Sequence, residues 1–308
     1  MKIPDVTAVV VTYQSRAIVD ATMRLLRAAH ESGALDCVVV DNASTDGTTA
    51  FLESRHNWAR IIASPVNLGY GRGCNRGLEL ARTRYVMFMN PDVTIEADSV
   101  AVLARFLDEH PQAGIVAPAT LCGDGRLQSA GDLPTPLAVI LQAAGLKRSC
   151  CFRRPITPGS AAFRANWLCG AILMARKNLM DELGGFDRRF FLYFEETDLC
   201  RRARLSGAEL WAVGGAIAQH VVSSSARIVQ PGLDKGGCLS EHFFRSRFYY
   251  IAKHHGLLTA VATEIGELAV LAVKDMLRLV FRKRERQLLA RLRAPILAFP
   301  AKEDHKWK

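Results

Sequence analysis

No two cysteines stand at CxxC spacing, and Cys150 and Cys151 are merely adjacent. The eight cysteines therefore suggest neither a structural zinc site nor a disulfide framework, and a reducing compartment suits them. No GxxxxGK[ST] run occurs, which excludes a P-loop, and the lack of a GxSxG elbow argues against an α/β-hydrolase. The glycine-rich segment through Gly71, Gly73 and Gly77 is GxGxxxG rather than GxGxxG, so a dinucleotide-binding fold has little support. An uninterrupted apolar run is also missing. Residues 256–281 are broken by Glu264, Glu267, Lys274, Asp275 and Arg278, too many charges for a transmembrane helix. The opening Met1-Lys2-Ile3-Pro4-Asp5 lacks the basic, apolar and small-residue succession of a signal peptide, so the expected location is the cytoplasm.

What is present is the composition of a folded protein, with 49% hydrophobic and 23% charged residues in 308. That length is generous for one core and short for two. It predicts one α/β domain over about residues 1–255 and a helical, basic extension over 256–308. The net charge of +10 admits nucleic acid, an anionic membrane surface or phosphate-bearing substrates as partners. Its densest cluster is Arg278, Arg282, Lys283, Arg284, Arg286, Arg291 and Arg293. This lies outside the predicted sheet and beside an apolar helical stretch, which disfavours nucleic acid and fits a peripheral contact with the inner face of the membrane. The competing reading of 256–281 is a helix packed on the main domain or on a second copy in an oligomer.

Along the chain, residues 7–13 (TAVVVTY), 37–40 (CVVV), Arg60–Ala63 and Tyr85–Met89 have the β-branched or apolar character of buried parallel strands. Between them, residues 18–29, Thr48–Arg55 and a segment closing at 78–82 read as helices. This order predicts a Rossmann-like, mostly parallel sheet with helices on both faces, in which ligands gather at the carboxyl ends of strands. Tyr13, Asp41 and Asp92 all fall at such ends. Residues 121–165, rich in glycine and proline, read as irregular, as a lid or acceptor loop would be. Order is expected to return at 167–175 and in a helix around 197–205.

Four segments carry chemistry-bearing residues. Asn90-Pro91-Asp92 offers a carboxylate that can hold a hard cation bridging phosphate oxygens, although alone it reads better as a turn. In the run Phe190 to Asp198, the acids Glu195, Glu196 and Asp198 follow an aromatic stretch. An apolar surround there would raise a carboxylate's pKa and suit it to accept a proton, while acids at a helix start also complement its dipole. His220 ends a strand-like run, as a metal ligand or as a satisfied polar residue. The segment from Asn67 to Gly77 could admit a nucleotide to the backbone or serve as a flexible lead into a helix, and alone the second reading is stronger.

Together these segments resemble the family 2 glycosyltransferases, whose nucleotide-sugar-binding fold is of the GT-A type. The matching order is Val10-Val11-Thr12-Tyr13, Val40-Asp41-Asn42-Ala43-Ser44-Thr45-Asp46-Gly47-Thr48, Asn67-Leu68-Gly69 through Asn75, Asn90-Pro91-Asp92-Val93, Gly184-Gly185-Phe186-Asp187, and Glu195-Glu196-Thr197-Asp198. Six modest motifs in order, over roughly residues 5–255, are specific. Within the family the likeness is to bacterial rhamnosyltransferases of lipopolysaccharide O-antigen and related cell-surface glycans.

The resemblance implies a donor half over about 1–120 and an acceptor half over about 121–255. It places Thr12, Tyr13, Asp41 and Asn42 around the nucleoside, with Asp41 on the base, and Asn67, Gly71 and Asn75 in support of the nucleotide. It makes Asp92 and His220 ligands of Mg²⁺ or Mn²⁺, Glu196 the catalytic base, and Arg245 and Arg247 a pair facing the diphosphate. Two departures stand out. Asn90 replaces the first acid of the family's Asp-x-Asp, and Glu195-Glu196 replaces Glu-Asp, which leaves the choice between the two glutamates open. The implied reaction is inverting transfer of a sugar, L-rhamnose from dTDP-L-rhamnose by resemblance, to a hydroxyl of a glycan or lipid-linked glycan. Galactofuranose, glucose and N-acetylglucosamine are alternative sugars. The rivals are a nucleotide-sugar-binding protein without turnover and a nucleotidyltransferase. The joint presence of Asp92, Glu196 and His220 disfavours the first, and the late acidic block disfavours the second.

Overall fold

The computed structural model describes residues 5–146, 153–221, 238–280, 287–292 and 294–297. Strands β1 (Val6–Thr12), β2 (Leu35–Asp41), β3 (Arg60–Ala63) and β4 (Tyr85–Met89) alternate with helices α1 (Val19–Glu31), α2 (Thr48–Arg55) and α3 (Tyr70–Leu78). There follow β5 (Val93–Ile95), α4 (Ala97–Glu109), β6 (Ala113–Cys122), β7 (Ser129–Gly131), α5 (Pro136–Ala144), β8 (Arg153–Pro155) and β9 (Phe163–Ala165). Then come β10 (Ile172–Arg176), α6 (Lys177–Glu182), α7 (Glu195–Leu205) and β11 (Glu209–His220), and last α8 (Cys238–His255), α9 (Leu257–Val280) and α10 (Gln287–Leu292).

The main sheet runs β3-β2-β1-β4-β10-β6-β11-β5, with β9 added on β11. The first four strands are mutually parallel. The expected layout is thus present, with antiparallel additions: β10 runs antiparallel between β4 and β6 and joins a second parallel pair, β6 with β11, to the first block, and β5 and β9 pair antiparallel with β11. The alternation of side chains along a strand explains the two faces. Val6, Ala8 and Val10 of β1 enter a core with Met23 and Leu26 of α1 and Leu103 of α4. Val9 and Val11 enter the opposite core with Cys74 and Leu78 of α3 and Leu199 of α7. Strands buried on both sides need apolar residues at every position, which is why 7–13 and 37–40 could be recognised from composition.

The glycine-rich segment is not a flexible lead into a helix. It is α3 itself, so the helix lies earlier than a segment closing at 78–82 and ends at Leu78. Its glycines permit close packing. A Cβ on Gly77 would sit 2.2 Å from Val9 Cγ1, and one on Gly73 would sit 2.7 Å from Val11 Cγ1. The 121–165 region is also more regular than expected. It holds the end of β6, then β7, α5, β8 and β9. Thr135 caps α5 by accepting from Ala138 N (3.2 Å), with Pro136 in the first turn and Gly145 left-handed at the end. Those are ordinary start and stop signals, here masked by the surrounding glycines and prolines.

The C-terminal helices form a third apolar cluster. Phe190 and Phe194 pack with Val139 of α5, Phe248 and Tyr250 of α8 and Ala260 of α9. Among the described residues no helix is long and apolar enough to cross a membrane. Of the seven cations near the C-terminus, Arg282, Lys283, Arg284, Arg286 and Arg293 lie outside the described residues, as do Cys150 and Cys151. Arg291 is not a surface cation: it is buried and paired with Glu264 and Glu267 of α9.

The tight seam between α3 and β1 predicts a sharp contrast between two glycines. Gly77→Ala should lower the free energy of unfolding by about 1–3 kcal/mol, because backbone or Val9 must move. Gly215→Ala, whose added Cβ would come no closer than 3.7 Å to its neighbour, should be close to neutral. Urea denaturation of both variants measures this.

Candidate active site

At the carboxyl end of β4 the chain turns through Asn90-Pro91-Asp92 into β5. The Asn90 N–H donates to Ala171 O (2.9 Å), and Val93 N–H donates to Asn90 O (3.2 Å). Antiparallel pairing then sets His220 at the end of β11 opposite Val93. This brings His220 Nε2 to 3.1 Å from Asp92 Oδ1, with both side chains buried. The contact is close, yet its alignment leaves Nε2 without a hydrogen bond. Nδ1 lies 2.9 Å from the side-chain amide of Gln128. An orphaned imidazole nitrogen beside a carboxylate suits a divalent cation that takes one or two protein ligands and completes its shell with phosphate oxygens. No cluster of three or more ligating side chains occurs among the described residues, so diphosphate oxygens would have to supply the rest. Metal on Nε2 would require the proton on Nδ1 and the Gln128 amide flipped, so that its oxygen rather than its nitrogen faces the ring.

At the ends of β1 and β2 lies a polar shelf. Tyr13 is exposed. Asn42 donates through Nδ2 to Gly69 O (3.0 Å), and its buried Oδ1 has no partner among the described residues. Asp41 is engaged on both oxygens. Oδ1 accepts from Thr12 Oγ1 (2.7 Å) and Ser44 Oγ (2.6 Å), and Oδ2 accepts from Ser44 N (2.9 Å) and Thr49 Oγ1 (2.8 Å).

The acid block opens α7. Tyr193 and Phe194 both have positive φ, 67° and 66°, a costly backbone held by the aromatic cluster around α8. That bend turns Glu195 and Glu196 to different sides. Glu195 is buried toward α3, where a Cβ on Gly71 would come within 3.3 Å of its own Cβ, and its Oε2 has no partner among the described residues. Glu196 is partly open. It lies against Gly170 and accepts from Thr197 Oγ1 (3.2 Å), which in turn accepts from Trp167 Nε1 (2.9 Å). Arg153 stacks on Trp167 at 3.7 Å. Burial raises the pKa of both glutamates, and the charge of Glu196 raises Glu195 further. Asp198 differs. Burial alone would raise it, but His254, Arg202 and Lys253 hold it below the usual carboxylate range.

The two ends of the site meet through consecutive residues: Ala171 O holds Asn90, and Gly170 abuts Glu196. An Asp–His pair with an unpartnered ring nitrogen, a polar shelf at strand ends and a partly open carboxylate with a raised pKa thus gather around the carboxyl ends of β1, β2 and β4. The sequence model of glycosyl transferase family 2 matches residues 7–164. The chain belongs to glycosyl transferase family 2. A relative in Mycobacterium tuberculosis (strain ATCC 25618 / H37Rv), N-acetylglucosaminyl-diphospho-decaprenol L-rhamnosyltransferase, is 28% identical over 275 residues, covering 82% of this chain and 85% of that protein. Among solved structures, S. aureus TarS 1–349 in complex with UDP-GlcNAc is similar at a TM-score of 0.54 and 16% identity, covering 87% of this chain and 83% of that one. GalNAc-T7 with UDP, GalNAc and Mn²⁺ is similar at a TM-score of 0.57 and 12% identity, covering 82% of this chain and 51% of that one. The fold is GT-A, and the protein is a family 2 glycosyltransferase.

Set against this family 2 geometry, several expected site residues have other tasks. Asn75 pincers the backbone of Phe186, donating to its O and accepting from its N (both 2.8 Å). It fixes the Gly184-Gly185-Phe186-Asp187 turn. Gly71 lets α3 lie against Phe186 and Glu195. Asn67 accepts from Gly69 N (2.9 Å) and shapes the turn into α3. Arg247 is buried among Glu264, Glu267 and Arg291 and does not face an open site, because α8 is knitted to α9 and α10 there. Arg245 on the same helix pairs with Glu241 (2.8 Å). Asp41 can meet a base only by giving up a loop hydrogen bond. The reading from sequence also missed Gln128, Trp167, Thr197 and Gly170. No local pattern marks them, because each matters through a partner from 1 to 92 residues away in the chain.

Two outcomes follow. Arg247→Ala leaves two buried carboxylates with one cation and should cost about 3–5 kcal/mol of stability, while the donor KM of the folded fraction stays unchanged; a rise in KM without loss of stability would restore Arg247 to the site. Asp187 and Asp198 are both depressed below the ordinary aspartate value. Their stabilisation is complete above the unfolded pKa of about 4 and is lost as pH falls through the lower folded values. Asp198→Asn should flatten the acid limb of a stability–pH curve.

Proposed function

We propose that the protein catalyses inverting, metal-dependent transfer of a sugar from a nucleotide-sugar donor to a hydroxyl of a lipid-linked glycan in cell-envelope synthesis, with L-rhamnose from dTDP-L-rhamnose as the donor. The single observation that carries the reading is the link through Gly170-Ala171, which sets the Asp92–His220 pair and Glu196 at two ends of one site. The identity and name of the mycobacterial relative support the sugar and the lipid-linked acceptor. The basic C-terminal sequence supports work at the inner face of the cytoplasmic membrane. In this reading residues 1–120 hold the donor, 121–255 the acceptor, and 256–308 the membrane contact.

Thr12, Tyr13, Asp41 and Asn42 receive the nucleoside on the strand-end shelf, with Tyr13 exposed for stacking on the base. Asp92 and His220 would hold Mg²⁺ or Mn²⁺, which would supply positive charge to offset that of the leaving diphosphate. Asn90 fixes the turn that aims Asp92. Glu196 accepts the proton of the acceptor hydroxyl while its oxygen bonds to the anomeric carbon, and the bond from that carbon to the diphosphate oxygen breaks on the opposite side. Burial keeps Glu196 basic enough for this task, and the Thr197 hydroxyl orients it. Glu195, turned toward α3, is a supporting residue. The partly open position of Glu196 and the burial of Glu195 toward α3 support Glu196 as the base.

Glu196→Gln should lower kcat by at least about a hundredfold and leave nucleotide binding intact, with a smaller effect for Glu195→Gln. The acid limb of kcat/KM should lie above the ordinary glutamate range, since the base must be ionised and burial raises its pKa. Donor hydrolysis and transfer assays over a panel of nucleotide sugars measure both. Normal turnover by Glu196→Gln sinks the assignment. In isothermal titration, Asp92→Asn and His220→Ala should each weaken Mn²⁺ binding in the presence of nucleoside diphosphate by about tenfold or more.

A further inference from the structure

We propose that α9 is a membrane-docking helix whose outer face lies in the headgroup–acyl boundary of an anionic lipid surface. The observation is an inverted helix. Every exposed side chain between 257 and 277 is apolar, with Leu257, Leu258, Ile265, Val273, Met276 and Leu277 each about half exposed or more, and Leu258 at 86%. Small alanines at 262, 269 and 272 complete the stripe at three- and four-residue spacing.

The charges of this helix point the other way. Glu264 and Glu267 are buried and paired with Arg247 of α8 and Arg291 of α10. Lys274 Nζ donates to Ala143 O of α5 (2.7 Å). Asp275 accepts from the backbone N–H groups of Gln287 (3.0 Å) and Leu288 (2.8 Å) at the start of α10. A water-facing helix on a protein surface buries its apolar stripe and exposes its charges. Here the charges are neutralised inside by partners from three elements, which leaves a hydrocarbon-compatible exterior about 20 residues long.

Charge selects lipid over a second copy as the occupant. The chain carries +10, and directly after α9 the sequence places Arg282, Lys283, Arg284 and Arg286 within five residues. Such a segment is attracted to anionic headgroups and repelled by its own copy. The choice of lipid deepens the lipid-linked acceptor reading above, but it is tested without any sugar transfer, so either can fail alone.

The test is co-sedimentation with vesicles of phosphatidylcholine containing phosphatidylglycerol, and with phosphatidylcholine alone. The full chain should bind the anionic vesicles, more weakly as salt rises. Ile265→Asp/Met276→Asp should weaken binding roughly tenfold or more, while keeping the thermal shift produced by nucleoside diphosphate with Mn²⁺. Leu258→Glu, at a position too exposed to endanger folding, should weaken it in the same direction. Unaltered binding by Leu258→Glu and the double variant overturns the proposal. So does a wild-type chain that ignores anionic vesicles, or one that sediments as a dimer made monomeric by these substitutions without any vesicle binding.

Discussion

The architecture turns on one close contact, the packing of a glycine-faced helix between a strand and an acid block. α3 lies against β1 because Gly73 and Gly77 present no side chain to Val11 and Val9. On its other side Gly71 admits Phe186 and Glu195, and Gly69 comes so near Phe191 O that a Cβ there would sit at 2.2 Å. The Tyr70 N–H donates to that same carbonyl (2.9 Å). Through these contacts the strand that ends at the polar shelf is registered against the helix that carries Glu196. Interiors are close-packed and transmit strain, so a methyl group at Gly69, Gly73 or Gly77 would push the polar shelf and the acids apart.

Around that seam the charges are sorted by role. Asp198 and Asp187 are ringed by cations from α7 and α8 and act as fastenings. Glu195 and Glu196, in the first turn of α7, are dominated by burial and stay hard to ionise, although the charge of Arg153 partly offsets this at Glu196. One acidic stretch therefore contains both ion-paired carboxylates and carboxylates with raised pKa, separated by what faces them. The backbone bend at Tyr193 and Phe194 sets this division, since it fixes which way each of the next residues points.

Much of the parallel half was legible in the chain. β3, β4 and α2 begin and end where composition and turn chemistry place them, since fully buried strands have to be apolar throughout. Asp92 and His220 were also legible, as polar residues at strand ends. What stayed hidden depends on distant partners. Glycines that look like a nucleotide loop are a packing surface, because Val9 and Val11 oppose them. Asn75 and Arg247 look like ligand contacts and are fixed by the Phe186 backbone and by Glu264 and Glu267. In α9 the five charges were visible, but not that partners on α5, α8 and α10 draw Glu264, Glu267, Lys274 and Asp275 inward, with Arg278 paired to Asp275 on the helix itself.

The central proposal is that the cation binds at Asp92 and His220, with the diphosphate on its open side at the strand ends. A crystal structure of the protein with nucleoside diphosphate and Mn²⁺, with anomalous diffraction recorded at the manganese edge, tests it most directly. The account predicts one anomalous peak ligated by an Asp92 carboxylate oxygen and His220 Nε2 at roughly 2.0–2.3 Å, with the nucleoside over Tyr13 and Asn42. A peak elsewhere, or a nucleotide bound away from the ends of β1 and β2, would contradict it.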